Sequence, residues 1–406
     1  VDELPVTSAD VRAARDALAG VARRTPVEPA RWLAEQVGGP VWLKCENLQR
    51  AGSFKIRGAY TRISRLSAEE RRRGVVAASA GNHAQGVALA ASLLDTPVTV
   101  FMPVGASLVK ERATRAYGAD VRLVGTSVDE AVVAATEYAA TTGAVFVHPF
   151  DHRDVVAGQG SLGLEILEQV PDVATVVVCT GGGGLLAGVA TALADHPQVR
   201  VVGVQAEGAA AYPPSLWAGH PVALEHMATM ADGIAIGRPG VVPFEIVRAR
   251  VDEVVTVDED AISRAIVRLL ERNKMLAEPA GAVAVAALMQ QPQTFTPPVV
   301  ATISGGNVDP LLIARLVRHG MVADGRYLSF RVAIPDKPGA LAALLAALAG
   351  AGANVLDVMH ERTRASLHVD EVDVLAVVET RGAAHRDEVL AAVASADTRW
   401  RLRVEQ

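Results

Sequence analysis

Residues 175–188 read TVVVCTGGGGLLAG, and this stretch decides the fold. Its opening is β-branched and continuously apolar, as in a strand covered by helices on both faces of a parallel sheet. Leu185 and Leu186 lead into an Ala/Leu-rich helical pattern. Between them stand four consecutive glycines, Gly181, Gly182, Gly183 and Gly184. Four are costly to order, because each loses more backbone freedom than any other residue, and a plain turn needs one or two. At a strand-to-helix junction such a run reads as a backbone nest for a phosphate, completed by the first N–H groups of the helix. The spacing is not GxGxxG, no acidic residue follows at the dinucleotide-binding distance, and no lysine follows as in a nucleotide P-loop.

The same alternation extends from residue 41 to about 320. "VWLKCE", "GVVAAS", "VTVFM", "VRLVG", "VFVHP", "VRVVGVQ", "EVVTV" and "VVATIS" read as further strands between helical stretches. A helical segment from about Val155 to Val170 lies between "VFVHP" and "TVVVCT", so two α/β subdomains with a cleft between them are expected. After "MVADGR" the pattern changes to strand, helix, strand, strand, helix, strand, the split ferredoxin-like βαββαβ order. A chain of 406 residues exceeds what one core organises. With 50% hydrophobic but only 4% aromatic residues, its cores are built from Ala, Val and Leu, which suits α/β layers.

The formal net charge of -6 and the lack of a basic run with interleaved aromatics argue against a nucleic-acid partner. The opening "VDELPVTSAD" lacks the basic start and apolar core of a signal peptide, and no apolar run is long enough to span a bilayer. A cytoplasmic protein with no membrane partner is expected. Cys45 and Cys179 are too few for a disulfide framework or a cysteine-based zinc site, and read as small buried hydrophobes.

Three other stretches bear on chemistry. In "AGSFKIRGAY", residues 51–60, Gly52 and Gly58 bracket Phe54 and Lys55, which suits either a solvated turn or a lysine pointing inward. "SAGNHAQG", from Ser79, follows an apolar strand; Asn82 and the small residues before it can free N–H groups for an anion, while His83 suits packing and function equally. "SGGN", from Ser304, ends a late strand and reads as turn formers or as a hydroxyl facing a ring nitrogen. A phosphate site with an inward lysine fits pyridoxal phosphate, which needs a lysine for its aldehyde and an anion site for its phosphate.

With "SFKIRGA", "SAGNHAQG", "GGGGL", "EPAGA" from Glu278 and "SGGN" in this order, the body resembles fold-type II pyridoxal-phosphate enzymes of the tryptophan synthase β-like class, and among them threonine dehydratase. The tail resembles an ACT domain. The resemblance implies a catalytic domain over 1–322, with a small subdomain of about 52–153 inserted in the large one, a linker at 323–326 and an ACT-like domain over 327–406. It implies Lys55 as Schiff-base lysine and proton carrier, Phe54 beside the ring, and Asn82 on the ring 3-hydroxyl. It further implies Gly181 to Gly184 with Leu185 on the phosphate, Gly233 near the ring and Ser304 at the pyridine nitrogen. Ser79, Ala80, Gly81, Asn82 and His83 would receive the substrate carboxylate. Glu278 reads either as a first-turn acid on the helix dipole or, by the resemblance, as a cleft acid assisting protonation.

Two departures matter. Relatives that racemise serine carry a serine hydroxyl where this chain has Ala80, so two-base racemisation is disfavoured. Relatives that bind a divalent ion carry an aspartate where this chain has Pro213, although Glu207 and Ala211 match the other ligands. No divalent metal is expected, while a monovalent cation remains compatible. The implied activity is L-threonine ammonia-lyase, giving 2-oxobutanoate and ammonium, with L-serine as a second substrate. A racemase, a β-replacement enzyme and a noncatalytic amino-acid sensor are the alternatives. In the tail, Pro338, Gly339 and Asn354 would bind isoleucine or valine and regulate a homotetramer in isoleucine biosynthesis, the alternative being an assembly module.

Overall fold

The computed structural model describes residues 4–362 and 367–404; the first three residues of the acidic opening and Glu405 of the expected terminal strand lie outside them. The chain packs as two compact units, Val1–Ile313 and Ala314–Gln406. Among the described residues no helix is long and apolar enough to cross a membrane.

The first unit contains β1 (Val27–Pro29), β2 (Val41–Cys45), β3 (Val75–Ala78), β4 (Val98–Met102), β5 (Asp120–Leu123), β6 (Val145–Phe146), β7 (Thr175–Cys179), β8 (Arg200–Ala206), β9 (Glu253–Val257) and β10 (Val299–Ile303). They form a six-stranded sheet ordered β1-β2-β10-β7-β8-β9 and a four-stranded sheet ordered β5-β4-β3-β6. The second is wholly parallel, and in the first only the β1–β2 pair is antiparallel. β3, β4, β7 and β10 are buried along their whole length, which is why their sequences run apolar without alternation. β1 carries no such pattern, being three mostly exposed residues on an edge. β6 is shorter than "VFVHP" implies, because the His148 ring accepts the backbone N–H groups of Phe150 and Asp151 and turns the chain out of the sheet.

Close helix packing fixes the glycine turn. On the Arg153–Gln169 helix, a Cβ at Gly160 would lie 2.6 Å from Gly188 O, and one at Gly188 would lie 2.5 Å from Val156 O. The Gly184–Ala192 helix, which starts in the glycine run, is thus held backbone to backbone against its neighbour.

A buried ion cluster ties these parts to the Lys55–Ser64 helix. Arg57, 1% exposed, donates to both carboxylate oxygens of Glu46 at 2.8 Å, to Glu165 at 2.7 Å and to Ser161 at 3.1 Å. Lys44 on β2 reaches the other oxygen of Glu165, the Thr25 carbonyl and Gln169. Burial alone would raise the Glu46 pKa, but the Arg57 guanidinium, the Lys44 charge and the Thr25 hydrogen bond together outweigh it and hold the carboxyl below its ordinary value.

In the second unit β11 (Tyr327–Pro335), β12 (Asn354–Glu361), β13 (Glu371–Glu379) and β14 (Arg401–Val404) form an antiparallel sheet ordered β12-β13-β11-β14. Leu344 and Leu348 of the Ala340–Gly350 helix and Val389 and Val393 of the Ala383–Ala396 helix pack with Phe330, Val332 and Val374 of the sheet. Gly339 caps the first of these helices with φ +90°, following Pro338, whereas Asn354 opens β12 beyond the helix's other end. An eleven-residue helix spans roughly 16 Å, so Gly339 and Asn354 of one chain stand at its opposite ends. Asn354 turns its amide to Glu379 at 3.4 Å.

Replacing Arg57 by methionine leaves Glu46 and Glu165 buried without this cation, and is expected to lower stability by about 3–5 kcal/mol. Without the guanidinium, burial raises the folded pKa of Glu46 above the unfolded one, so the folded variant binds the extra proton and the deficit should shrink as pH falls from neutral towards about 5. Urea unfolding of both proteins at two pH values measures this; a deficit independent of pH would contradict it.

Candidate active site

The carboxyl ends of β3, β7 and β10 open onto one cavity of 790 Å³, the place where open parallel sheets hold ligands. The elements following these strands supply its walls: Ser79–His83 after β3, Gly181–Leu185 after β7 and Ser304 after β10. Lys55 and Phe54 enter from the start of the Lys55–Ser64 helix, Gly233 from a short turn and Glu278 from the start of the Pro279–Gln290 helix. The structure thus brings every cofactor, substrate and catalytic candidate of the first unit to one cavity.

Lys55 is held at the cavity by its neighbours. The Phe54 N–H donates to Ser304 O at 3.1 Å and Ser53 bridges Gly305, docking the lysine's helix start on the end of β10. Its Nζ donates to Pro149 O at 3.1 Å and lies 5.0 Å from the Phe54 ring centroid. Burial pushes its pKa down to about 8, with the Cys179 and Glu278 charges opposing that change.

Glu278 does not cap its helix. Its carboxylate, 3% exposed, accepts from the Asn82 amide, whose carbonyl oxygen in turn accepts from Asn307 at 2.8 Å. Burial, aided by Asp232, raises its pKa to about 7 against the lowering pull of Lys110 and that hydrogen bond. A Cβ on Gly305 would lie 2.2 Å from the Glu278 carboxylate, so only glycine admits it there. His83 packs: its Nε2 faces Val147 O at 2.8 Å, and burial depresses its pKa to about 3, leaving a neutral ring. Its Nδ1 has no partner.

The glycine turn is shaped by contact on every side. A Cβ would strike the Phe150 ring at 2.4 Å from Gly182, Tyr212 Oη at 1.8 Å from Gly183 and Gln159 Oε1 at 2.6 Å from Gly184. Gly183 also has φ +96°, a conformation open chiefly to glycine. These contacts leave a small concave surface of backbone at a helix N-terminus, which suits a phosphate. With an amine at Lys55 and a buried hydroxyl at Ser304, the residues fit pyridoxal phosphate.

Two wall features escape sequence reasoning. Lys110, on the Leu108–Ala116 helix between β4 and β5, pairs with Asp232, between β8 and β9, at 2.9 Å, linking elements of the two sheets beside Gly81. Nothing in "LVKERATRA" separates it from an ordinary surface lysine. Gln159 is a buried amide in "VAGQGSLG", and its flanking glycines were the available signal. Glu207 is exposed, and among the described residues no group of three or more His, Cys, Asp or Glu is placed to hold a metal ion.

Residues 18–305 match the family model for pyridoxal-phosphate dependent enzymes, and residues 329–395 that for the ACT domain. The chain is 48% identical over 382 residues to an L-threonine ammonia-lyase of Geobacter sulfurreducens, covering 94% of this chain and 95% of that protein. An L-threonine ammonia-lyase of Thermotoga maritima is 47% identical, with coverages of 95% and 96%. Among solved structures, the processed form of threonine deaminase isoform 2 from Solanum lycopersicum superposes with a TM-score of 0.73 at 36% identity, covering 79% of this chain and 96% of that one. Maize serine racemase does so with 0.73 at 34% identity, covering 76% and 96%. A lysine and a glycine nest meeting at the ends of parallel strands, in a body that matches over residues 18–305, establish that the chain belongs to the pyridoxal-phosphate-dependent enzyme family and carries an ACT domain behind it.

Proposed function

We propose that the chain is an L-threonine ammonia-lyase, converting L-threonine to 2-oxobutanoate and ammonium by β-elimination and acting more slowly on L-serine. The observation that carries the reading is a cavity in which Lys55 is the buried amine, the second lining lysine, Lys110, being tied to Asp232, beside a wall residue, Ala80, with no proton to give. One base serves elimination, whereas inversion needs a second on the other face. The names of the two relatives that are 47% and 48% identical support the same reading.

Bound pyridoxal phosphate supplies a carbonyl for the substrate amine and a conjugated ring that spreads the charge left at the α-carbon. Lys55, a neutral amine above about pH 8, takes the α-proton at Nζ. Backbone N–H groups of Ser79 to His83 would hold the substrate carboxylate, and Phe54 would pack beside the ring. The Asn82 amide, fixed by Glu278 and Asn307, would orient the ring hydroxyl. Ser304 would offer the ring nitrogen a neutral hydroxyl, Gly233 would give close backbone, and Gly181 to Leu185 would hold the phosphate. Glu278, protonated below about pH 7, keeps a proton inside the cavity for the departing hydroxyl or the product carbon. L-serine lacks one methyl group, a difference worth about 1–3 kcal/mol in an apolar pocket, so it reacts less well without being excluded.

The ACT match supports amino-acid control, with isoleucine or valine as effector on the second unit of a cytoplasmic homotetramer serving isoleucine synthesis. The catalytic domain over 1–322, with its inserted subdomain, and the regulatory domain over 327–406 are part of the same proposal.

Replacing Lys55 by alanine should lower release of ammonium and keto acid from L-threonine by at least about 10²-fold and leave no cofactor attached after borohydride reduction. Ordinary turnover by K55A would remove the assignment. In the cofactor-free protein, capture of pyridoxal phosphate needs the unprotonated amine, whose fraction grows as pH rises to its lowered pKa. Stopped-flow absorbance between about pH 6 and about pH 10 should show the rate climbing about tenfold per pH unit and levelling above about 8. A climb that continues to pH 10 would place the lysine in an ordinary aqueous setting. For the tail, isoleucine or valine should change threonine turnover in the full chain and not in a chain ending at Ala323. An equal response in both would locate control in the first unit, and no response in either would leave assembly as the tail's role.

A further inference from the structure

Gln159 sits inside the Arg153–Gln169 helix, 1% exposed, at the cavity wall. Neither its Oε1 nor its Nε2 has a hydrogen-bond partner. Buried amides are almost always paired, and one unpaired at both ends needs a reason, the more so in a helix whose buried Ser161 and Glu165 both have partners. Two glycines make room for it. A Cβ on Gly184 would meet Oε1 at 2.6 Å, and one on Gly58 would meet Nε2 at 3.1 Å. The carboxamide therefore lies between the phosphate-binding turn and the helix that begins at Lys55, on the side of each glycine that a Cβ would fill. Nothing in the protein fixes which end faces which glycine, because a half-turn of the amide exchanges two unsatisfied atoms for each other.

We propose that Gln159 is a phosphate-binding residue: its NH2 group turns to the Gly184 side and donates to the anionic oxygens held by the glycine turn, adding a side-chain donor to the backbone nest. The inference rests on the cofactor reading and extends it to a residue outside the Gly181–Leu185 loop. An amide suits this place better than a lysine or arginine would. It gives two donors without adding a cation that would be left unpaired whenever the phosphate is absent. The geometry gives it a second consequence. Since the same amide abuts Gly58, three residues after Lys55, a phosphate that orders Gln159 also firms the floor beneath the lysine's helix.

The test compares two ligands on the full chain. Cofactor-free protein is titrated with pyridoxal 5'-phosphate and, separately, with pyridoxal, which has the same aldehyde and ring but no phosphate, following the absorbance of the lysine adduct. The parent chain should prefer the phosphate ester; lack of preference would overturn the phosphate reading of the glycine turn itself, a failure distinct from that of Gln159. In Gln159→Met, which keeps length and removes the donors, affinity for pyridoxal 5'-phosphate should fall about 10- to 100-fold while that for pyridoxal stays within about twofold. In Gln159→Glu, which sets a carboxylate against the phosphate, the preference for the ester should fall further. Unchanged preference in Gln159→Met overturns the proposal. Equal loss of both ligands, including loss because neither variant folds, assigns Gln159 to packing and overturns it as well.

Discussion

The buried Arg57 cluster is the constraint on which the site depends. One guanidinium joins Glu46 at the end of β2, Glu165 on the Arg153–Gln169 helix and, two residues back along its own helix, the position of Lys55. Two cations and two carboxylates, with Thr25, Ser161 and Gln169 filling remaining hydrogen-bond positions, make a set in which formal charge balances and the dominant lone pairs are used. Replacing such a set by apolar side chains could be neutral for stability, so stability alone does not explain it. Its directional bonds fix the rotation and advance of the Lys55–Ser64 helix, which greasy packing would leave free to slide.

That fixed helix start matters because the cavity suppresses charge. Burial lowers Lys55 to about 8, raises Glu278 to about 7 and lowers His83 to about 3 and His148 to about 4. Near neutral pH the histidines are uncharged, and the lysine and the glutamate both stand close to their midpoints. A base and an acid near their midpoints can exchange protons with a bound substrate at small thermodynamic expense. The Lys110–Asp232 pair, linking elements of the two sheets beside the Ser79–His83 loop, keeps fixed charge near the wall without placing it on the reacting groups.

Much of this was legible in the sequence. Apolar runs without alternation marked β3, β4, β7 and β10 because both faces of those strands are covered, and four glycines in a row marked a tight turn after β7, which Gly183 needs for its φ and the others for the close approach of Ile234, Phe150 and Gln159. The βαββαβ order of the tail followed from alternating periods of two and 3.6 residues. Less was legible where the signal was short or depended on distant neighbours. The three-residue β1 has no period to read, and the choice between cap and cleft acid for Glu278 turned on Asn82, 196 positions away.

By itself the sequence determined the strand and helix content, the turn at Gly181–Gly184 and the lysine between glycines, because each follows from backbone freedom and side-chain pattern within a few residues. Tertiary structure alone decided which charges are shared and which atoms are left without partners. Arg57 reads locally as one more helical arginine, yet its partners Glu46 and Glu165 lie 11 and 108 positions away. Gln159 reads as one polar residue in a helix until the approach of Gly58 and Gly184 shows its amide unpaired at the cavity. Gly339 and Asn354, linked by resemblance, are parted by the rigid length of a helix. Hydrogen bonding and burial are properties of points brought together in space, and the chain order does not encode them residue by residue.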